Sequence, residues 1–296
     1  MSNKRLFSNT ALYAITVLIW GSTWLAIEFQ LGVVEPEVSI VYRYLLASVV
    51  LFLFCKIRKL KISFNLKYHV WFALLGFFLF CLNYILAYRA QVHISSALAA
   101  ILFSTIVWIN IVLSRLIFRT RAGLPVLVGA MLGVSGLIVL FAPQVSGVTL
   151  SNSILYGSFL AFLGACASSC GNMVSQLAQK RSLPVMQANA WGMLYGAVLT
   201  AAIAVGRGHP FNFDATFTYI ASLVYLAVFG SVVAFGAYLT LLGRIGAHKS
   251  GYAAVMFPVV ALILSILFEG LSLNFSILLG TALVLTGNVL VLKERQ

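Results

Sequence analysis

The stretch LVGAMLGVSGLIVLF, residues 127–141, is nearly repeated later in the chain as LLGTALVLTGNVLVL, residues 278–292. Gly129 corresponds to Gly280, and in both stretches a serine or threonine followed by glycine comes less than two helical turns later. Each stretch closes one half of a chain of 296 residues. The pattern indicates two copies of one unit, and the number of elements in that unit decides the architecture.

The composition is that of a membrane protein. The chain is 62% hydrophobic and 8% charged, whereas soluble domains are about half apolar and about one-quarter charged. A helix of about 20 apolar residues spans a bilayer. Few apolar runs alternate as barrel strands do, so we expect helices. Ten runs can be marked, at residues 10–31, 38–55, 69–89, 94–117, 123–142, 153–178, 185–205, 217–241, 249–268 and 274–292.

The distribution of charge predicts the topology. The net charge is +13, and its cations cluster in every second gap, which is the positive-inside pattern of membrane proteins rather than a nucleic-acid surface. Both termini are therefore predicted to be cytoplasmic. The intervening gaps contain Glu35, Glu37, Asp214 and Glu269. The clustered cations are Lys4, Arg5, Lys56, Arg58, Lys59, Lys61, Lys67, Arg119, Arg121, Lys180, Arg181, Arg244, Lys249, Lys293 and Arg295.

Ten helices in two copies give five helices per copy. Because five is odd, the second copy enters the membrane from the opposite side, so the copies form an inverted repeat. We predict repeats at residues 8–142 and 153–293, joined by an external linker at 143–152. Inverted repeats are common in secondary transporters, which hold their substrate near the midplane between the repeats.

Glycines on the fifth and tenth runs favour close helix contact. They lie along one side of each run, at Gly129, Gly133 and Gly136 and at Gly280 and Gly287. Packing within the chain is one interpretation. A dimer face is the other, so the protein is predicted to be a monomer or a homodimer.

A series of short motifs spans both halves of the chain. The motifs are Trp20-Gly21-Ser22-Thr23-Trp24, Arg43 within 42–47, 95–100, 190–196, 225–231, Phe257-Pro258-Val259-Val260-Ala261 and Phe268-Glu269-Gly270. In their order they resemble those of the drug/metabolite transporter superfamily, EamA type, and the resemblance covers the whole chain. It implies a secondary carrier of small organic solutes, most often an exporter in a bacterial inner membrane.

The fourth run departs from the family pattern. The family usually has a proline there, matching Pro258 in the ninth run, but residues 104–108 read STIVW. An acidic residue usually ends the helix, and residues 119–121 read RTR instead. The comparison therefore predicts that the first half has lost a hinge that the second half keeps.

Polar side chains within apolar runs predict a cavity. Such groups are costly in lipid and tend to face the bundle interior. For each residue alone, a packing contact between helices is the simpler interpretation; as a set they favour a polar midplane cavity lined by aromatic rings. The predicted cavity residues are Trp20, Asn83, Tyr84, Ser104, Asn110, Asn172, Trp191, Tyr238 and Tyr252.

Pro258 and Gly251 are the candidate gating residues. A proline within a helix removes one backbone hydrogen bond and clashes with the preceding turn. The resulting kink is either purely structural or flexes during transport.

Three charged residues lie towards the predicted outer side. Glu28 ends the first run, and Arg43 lies about two turns into the second. Their depths are compatible, so we predict an ion pair that lowers the cost of keeping both charges there. With Arg89, they either anchor the structure or guide a zwitterion or a proton.

Other classes of function fit less well. The chain has no HExxH or Walker A motif, a single aspartate and no evident Ser–His pair, so neither an enzyme nor a bound cofactor or metal is predicted. A channel needs a continuous pore lined by charged or carbonyl rings. We therefore predict a transporter that exports amino acids or related metabolites. Import of such solutes is the alternative, and the expected partners are the small-molecule substrate and the lipid bilayer.

Overall fold

The computed structural model describes residues 7–94, 96–145, 151–268 and 275–293, and all regular structure within them is helical. Seven stretches of this part are long and apolar enough to cross a membrane, and shorter apolar helices accompany them. The first half contains α1 (Asn9–Glu28), α2 (Pro36–Ile57), α3 (Leu66–Gln91), α4 (Ser96–Ser104), α5 (Ile106–Phe118) and α6 (Leu124–Val145). The second half contains α7 (Asn152–Lys180), α8 (Val185–Gly206), α9 (Phe217–Ile245), α10 (Ala247–Ser250), α11 (Ala253–Phe268) and α12 (Phe275–Lys293).

These helices account for the ten apolar runs. Helices α4 and α5 together form the fourth membrane passage, and α10 and α11 form the ninth. Residues 146–150, within the predicted linker, lie outside the described residues, as do Ser95 and the dipeptide Glu269-Gly270 of the family motifs.

Helices α6 and α12 show how the halves are related. A Cβ added at Gly129 would lie 2.6 Å from the carbonyl oxygen of Gly287, and one at Gly136 would lie 2.7 Å from that of Gly280. Only residues without a side chain allow backbones to approach so closely. In the repeat, Gly129 corresponds to Gly280 and Gly136 to Gly287, yet Gly129 contacts Gly287 and Gly136 contacts Gly280. Because the order of the contacts is reversed along the second helix, the two equivalent helices run antiparallel. The two halves are therefore inverted copies.

The remaining packing follows the same symmetry. The first helix of each half packs on the third and fourth passages of the other: α1 contacts α9 and α11, and α7 contacts α3, α4 and α5. Helices α2 and α8 pack on each other. Each half thus buries its apolar surface mainly against the other half.

A π-helical segment interrupts the third helix of each half, at Gly76–Leu82 in α3 and at Leu226–Val233 in α9. Each segment packs on the second helix of the opposite half. A Cβ at Gly76 would lie 2.6 Å from the carbonyl oxygen of Gly192 in α8. Such segments often occur at functional sites, because they re-aim side chains on a helix.

The fourth passage is broken although it lacks the proline that the family pattern has there. The helix is interrupted at Thr105, whose backbone N–H donates to the carbonyl of Leu102 at 3.2 Å. The hydroxyl of Thr105 donates to the same carbonyl at 2.6 Å. This local bond competes with regular helix geometry. In the ninth passage the break lies at residues 251–252, and α11 continues through Pro258.

Candidate substrate cavity

A cavity of about 90 Å³ lies between the halves. A water molecule needs about 10–15 Å³ on this scale, so a small organic solute fits better than a lipid or a peptide. The first, third and fourth passages of each half form its wall. The lining residues are Trp20, Thr23, Trp24, Ile27, Asn83, Tyr84, Ala87, Phe103, Ile106, Ser168, Asn172, Phe235, Tyr238, Gly251, Ala254 and Phe257.

Trp20 is the centre of an aromatic wall. Its ring centroid lies 4.7 Å from that of Phe235, 5.0 Å from that of Tyr238 and 5.6 Å from that of Phe257. Its indole N–H donates to the carbonyl oxygen of Gly230 at 2.9 Å, within the π-helical segment of α9. Edge-on ring contacts and a fixed hydrogen bond hold the indole in one orientation. The wall is therefore a rigid surface for an apolar or aromatic group.

Two asparagines provide polar groups in the wall. Asn172 donates from Nδ2 to the hydroxyl of Tyr238 at 3.0 Å and to Oδ1 of Asn110 at 3.4 Å. Asn83 donates from Nδ2 to the carbonyl of Leu79 at 3.4 Å, and since a carbonyl only accepts, this contact sets the orientation of the Asn83 amide. Oδ1 of Asn83 has no hydrogen-bond partner among the described residues. A buried acceptor without a partner is costly, so it favours a ligand that donates a hydrogen bond.

Both predicted gating residues belong to this region. Gly251 lines the cavity at the break of the ninth passage. Pro258 has no N–H, so the carbonyl of Ala254 lacks its usual donor within α11. Ala254 itself lines the cavity.

Five of the nine predicted cavity residues line the cavity. Asn110 does not line it but accepts a hydrogen bond from Asn172, which does. Ser104 does not line it: its buried hydroxyl donates to the carbonyl of Ile101 at 2.6 Å. Tyr252 is also elsewhere, because its hydroxyl donates to the carbonyl of Gly129 at 3.0 Å. It fills the contact between α6 and α12.

Trp191 lies in a separate aromatic cluster. Its indole N–H donates to the carbonyl of Ile62 at 2.9 Å, and its ring stacks on Tyr195 with centroids 5.8 Å apart. His69 and Phe52 also contact it. Near the start of α8, it occupies a position typical of an interfacial tryptophan.

The predicted set contains Trp20 but omits the other residues on the same face of α1. Trp20, Thr23, Trp24 and Ile27 all line the cavity. Their spacing of three and four residues puts them on one side of a helix. This spacing was the signal available in the sequence for Thr23 and Ile27.

The predicted ion pair between Glu28 and Arg43 is wrong. Glu28 is exposed at the end of α1, whereas the side chain of Arg43 is buried within the bundle. Among the described residues, neither forms an ion pair. Similar depth does not bring two side chains together when they point to different sides of their helices.

Arg43 is held by hydroxyl groups and aromatic rings instead. Its Nε donates to Oγ of Ser231 at 2.9 Å, and its Nη1 and Nη2 donate to the hydroxyls of Tyr88 and Tyr84, each at 3.4 Å. Its Cζ lies 4.6 Å from the ring centroid of Tyr84 and 5.3 Å from that of Tyr44. Cation–π contacts of this kind partly offset the cost of burying the charge.

Arg89 joins a charged cluster where α2 begins and α3 ends. Its Nε and Nη2 donate to the two carboxylate oxygens of Glu37 at 3.0 Å and 2.6 Å. Arg207, from the second half, donates to Glu37 at 2.9 Å. Glu35 and His209 complete the cluster. The cluster therefore links the halves at one end of the bundle.

Three members of this cluster have ligand atoms within 4.8 Å of one another, namely Glu35, Glu37 and His209. Both carboxylates already bind arginine, which is the ordinary way to compensate a buried acid. The arrangement is therefore that of an ion-pair network rather than a metal centre.

The inverted halves and the cavity between them define the class of the protein: a multi-pass membrane transporter. The chain belongs to the EamA-like transporter family, whose model matches residues 9–142 and 155–293. Members of this family are transporters rather than enzymes.

Similar proteins occur in Escherichia coli and Bacillus subtilis. The chain is 28% identical over 256 residues to "Uncharacterized inner membrane transporter YedA" of Escherichia coli (strain K12), covering 86% of this chain and 80% of that protein. It is 25% identical over 296 residues to "Probable amino-acid metabolite efflux pump" of the same organism, covering 96% of each. It is 24% identical over 272 residues to "Uncharacterized transporter YoaV" of Bacillus subtilis (strain 168), covering 91% of each.

A solved crystal structure shares the fold. It matches with a TM-score of 0.76 over 95% of each chain, at 18% sequence identity. The agreement supports the arrangement of helices and carries no information on the solute.

Proposed function

We propose that this protein is a secondary transporter that exports small metabolites, amino acids or related compounds, across the bacterial inner membrane by alternating access. The observation that carries the proposal is the cavity between inverted halves, formed by equivalent passages of each half. In such an arrangement, exchanging the shapes of the two halves exposes one site to the opposite side. The name of one relative as an amino-acid metabolite efflux pump supports the substrate class.

The side chains of the cavity suit this class of solute. Trp20 and its neighbouring rings offer an apolar surface, and Asn83 and Asn172 offer amide groups. Ligand sites commonly combine an apolar wall with a few fixed polar groups. A small metabolite with both an apolar and a polar part is the best match.

Breaks in two helices provide the bending points that the proposal needs. Breaks at Thr105 and at residues 251–252 divide the fourth passage of each half. We infer that each half bends there, with Gly251 and Pro258 contributing in the second half. The clustered Lys and Arg support a cytoplasmic position for both termini. We infer that the cluster around Glu37 then lies at the outer end of the bundle and closes that end in one state.

The test measures metabolites in the medium of cells that overproduce the protein. Wild type and a Trp191→Phe variant, altered outside the cavity, are expected to raise external amino acids. An Asn172→Leu variant, altered in the cavity wall, is expected not to, when produced at the same level. Depletion of amino acids from the medium would show that the protein imports them and does not export them. Solute flux in proteoliposomes that neither saturates nor shows counterflow would show that the protein is a channel and not a carrier.

A further inference from the structure

Arg43 is a buried positive charge beside a cavity with a neutral wall. The residue is only 1% exposed, and none of the described residues that line the cavity is charged. No carboxylate of the described residues forms an ion pair with it. A buried charge without a counter-charge is costly in a membrane protein and marks a functional position.

The guanidinium group is only partly satisfied by its neighbours. It has five N–H donors. Nε forms one short bond, 2.9 Å to Ser231, while the bonds to Tyr88 and Tyr84 are each 3.4 Å long. Charge-assisted hydrogen bonds are normally shorter, about 2.7–2.9 Å. The geometry leaves Arg43 able to stabilise further negative charge nearby.

Tyr84 connects this charge to the cavity. Its hydroxyl accepts from Nη2 of Arg43, its ring lies beneath the guanidinium with 4.6 Å between Cζ and the centroid, and its side chain lines the cavity. A hydroxyl that accepts from a cation keeps its own proton free to donate, and polarisation along the chain strengthens that donation. The wall at Tyr84 therefore favours an acceptor group with negative charge.

We propose that Arg43, acting through Tyr84, makes the cavity selective for solutes that carry a carboxylate. This inference rests on the proposed transport function and deepens it by naming the group that the site recognises. Arg43 is a positioning residue here, because Tyr84 stands between it and the solute. The cation also acts directly through its field, which is weakly screened within the bundle.

The experiment uses proteoliposomes loaded with an equal mixture of the common amino acids and their carboxamides, such as phenylalanine with phenylalaninamide. The amide retains the size of the acid and lacks its negative charge. Efflux of every component is measured by mass spectrometry, after subtraction of leakage from protein-free vesicles. The readout is the ratio of acid to amide exported, which does not depend on the amount of folded protein.

Wild type is expected to export acids in preference to their amides by about tenfold, the effect of one screened charge at short range. Arg43→Gln is expected to remove most of this preference, and Arg43→Lys, which keeps the charge, to retain it. Tyr84→Phe removes the hydroxyl alone and is expected to lower the ratio several-fold. It also keeps the test decisive if the Arg43→Gln chain does not fold.

Other outcomes distinguish failure of the role of Arg43 from failure of the proposed transport function. Export of amides as fast as acids by wild type, or an unchanged ratio in both Arg43→Gln and Tyr84→Phe, would overturn the role of Arg43 and leave transport intact. Efflux of neither class would overturn the proposed export of amino acids together with this inference.

Discussion

Glu37 of α2 accepts a hydrogen bond at 2.9 Å from Nη1 of Arg207, which follows α8 in the opposite half. The side chain of Glu37 is 0% exposed, and Arg89 of α3 binds both of its oxygens. One carboxylate thus joins three helices across the boundary between the halves. Any motion that separates the halves at this end has to break the bond between Glu37 and Arg207.

Replacing Glu37 tests this link. Glu37→Gln leaves two arginines without their shared carboxylate, and breaking a buried ion pair costs about 3–5 kcal/mol. Because Arg89 and Arg207 are 28% and 53% exposed, water compensates in part, and we expect a loss of about 2 kcal/mol. The midpoint of thermal unfolding in detergent measures it.

The matched control is Glu28→Gln. Glu28 is exposed and forms no ion pair among the described residues, so its unfolding midpoint is expected to stay that of wild type. Equal midpoints for Glu37→Gln and wild type would mean that the cluster contributes nothing to holding the halves together.

The contact between α6 and α12 is sensitive to a single methyl group. In Gly136→Ala the new Cβ meets the carbonyl oxygen of Gly280 at 2.7 Å, and overpacking of this kind costs about 1–3 kcal/mol. Gly206→Ala is the control, since nothing lies within 4 Å of a Cβ there. Thermal unfolding of both variants is the measurement. A Gly136→Ala protein as stable as Gly206→Ala would show that the helices can separate at no cost.

Trp20 is expected to set solute affinity. Trp20→Phe keeps a ring in the wall but removes the hydrogen bond to Gly230 that fixes the orientation of the ring, so the wall is less preorganised for the solute. We expect the half-saturation constant for counterflow to rise about tenfold. Trp191→Phe, outside the cavity, is expected to leave it unchanged. The reverse order of effects would move the binding site to the aromatic cluster at the start of α8.

Tyr252 and Tyr238 should separate stability from binding. Tyr252→Phe loses a hydrogen bond to Gly129, worth about 1 kcal/mol, and is expected to lower the unfolding midpoint without changing the half-saturation constant. Tyr238→Phe removes the acceptor for Asn172 in the cavity wall and is expected to weaken solute binding. A Tyr252→Phe protein with wild-type stability and weaker solute binding would show that Tyr252 belongs to the binding site after all.

The architecture was largely predictable from sequence. Apolar length determines how many helices cross the membrane, and repeated glycines such as Gly129 and Gly280 reveal the duplication. Because each copy has an odd number of helices, the second copy must enter the membrane from the opposite side. These are local or periodic properties of the chain, so they need no knowledge of which helix faces which.

The site was only partly predictable, because it depends on how each helix is rotated. Trp20 and Asn83 were found because large rings and buried amides tend to face the interior. Trp191 has the same chemistry but points to another cluster. Glu28 and Arg43 have similar depth but different directions, and the bond between Glu37 and Arg207 joins residues 170 positions apart. Such pairings arise from tertiary packing alone.

The crossed glycine contacts between α6 and α12 bear on the origin of the chain. Because each copy presents the same surface, two separate five-passage proteins inserted in opposite orientations can form this interface. Joining them in one gene removes the need for a single sequence to insert both ways. Within one chain each copy can differ from the other, and the proline-free break at Thr105, in the passage that corresponds to the proline-containing ninth passage, is such a difference.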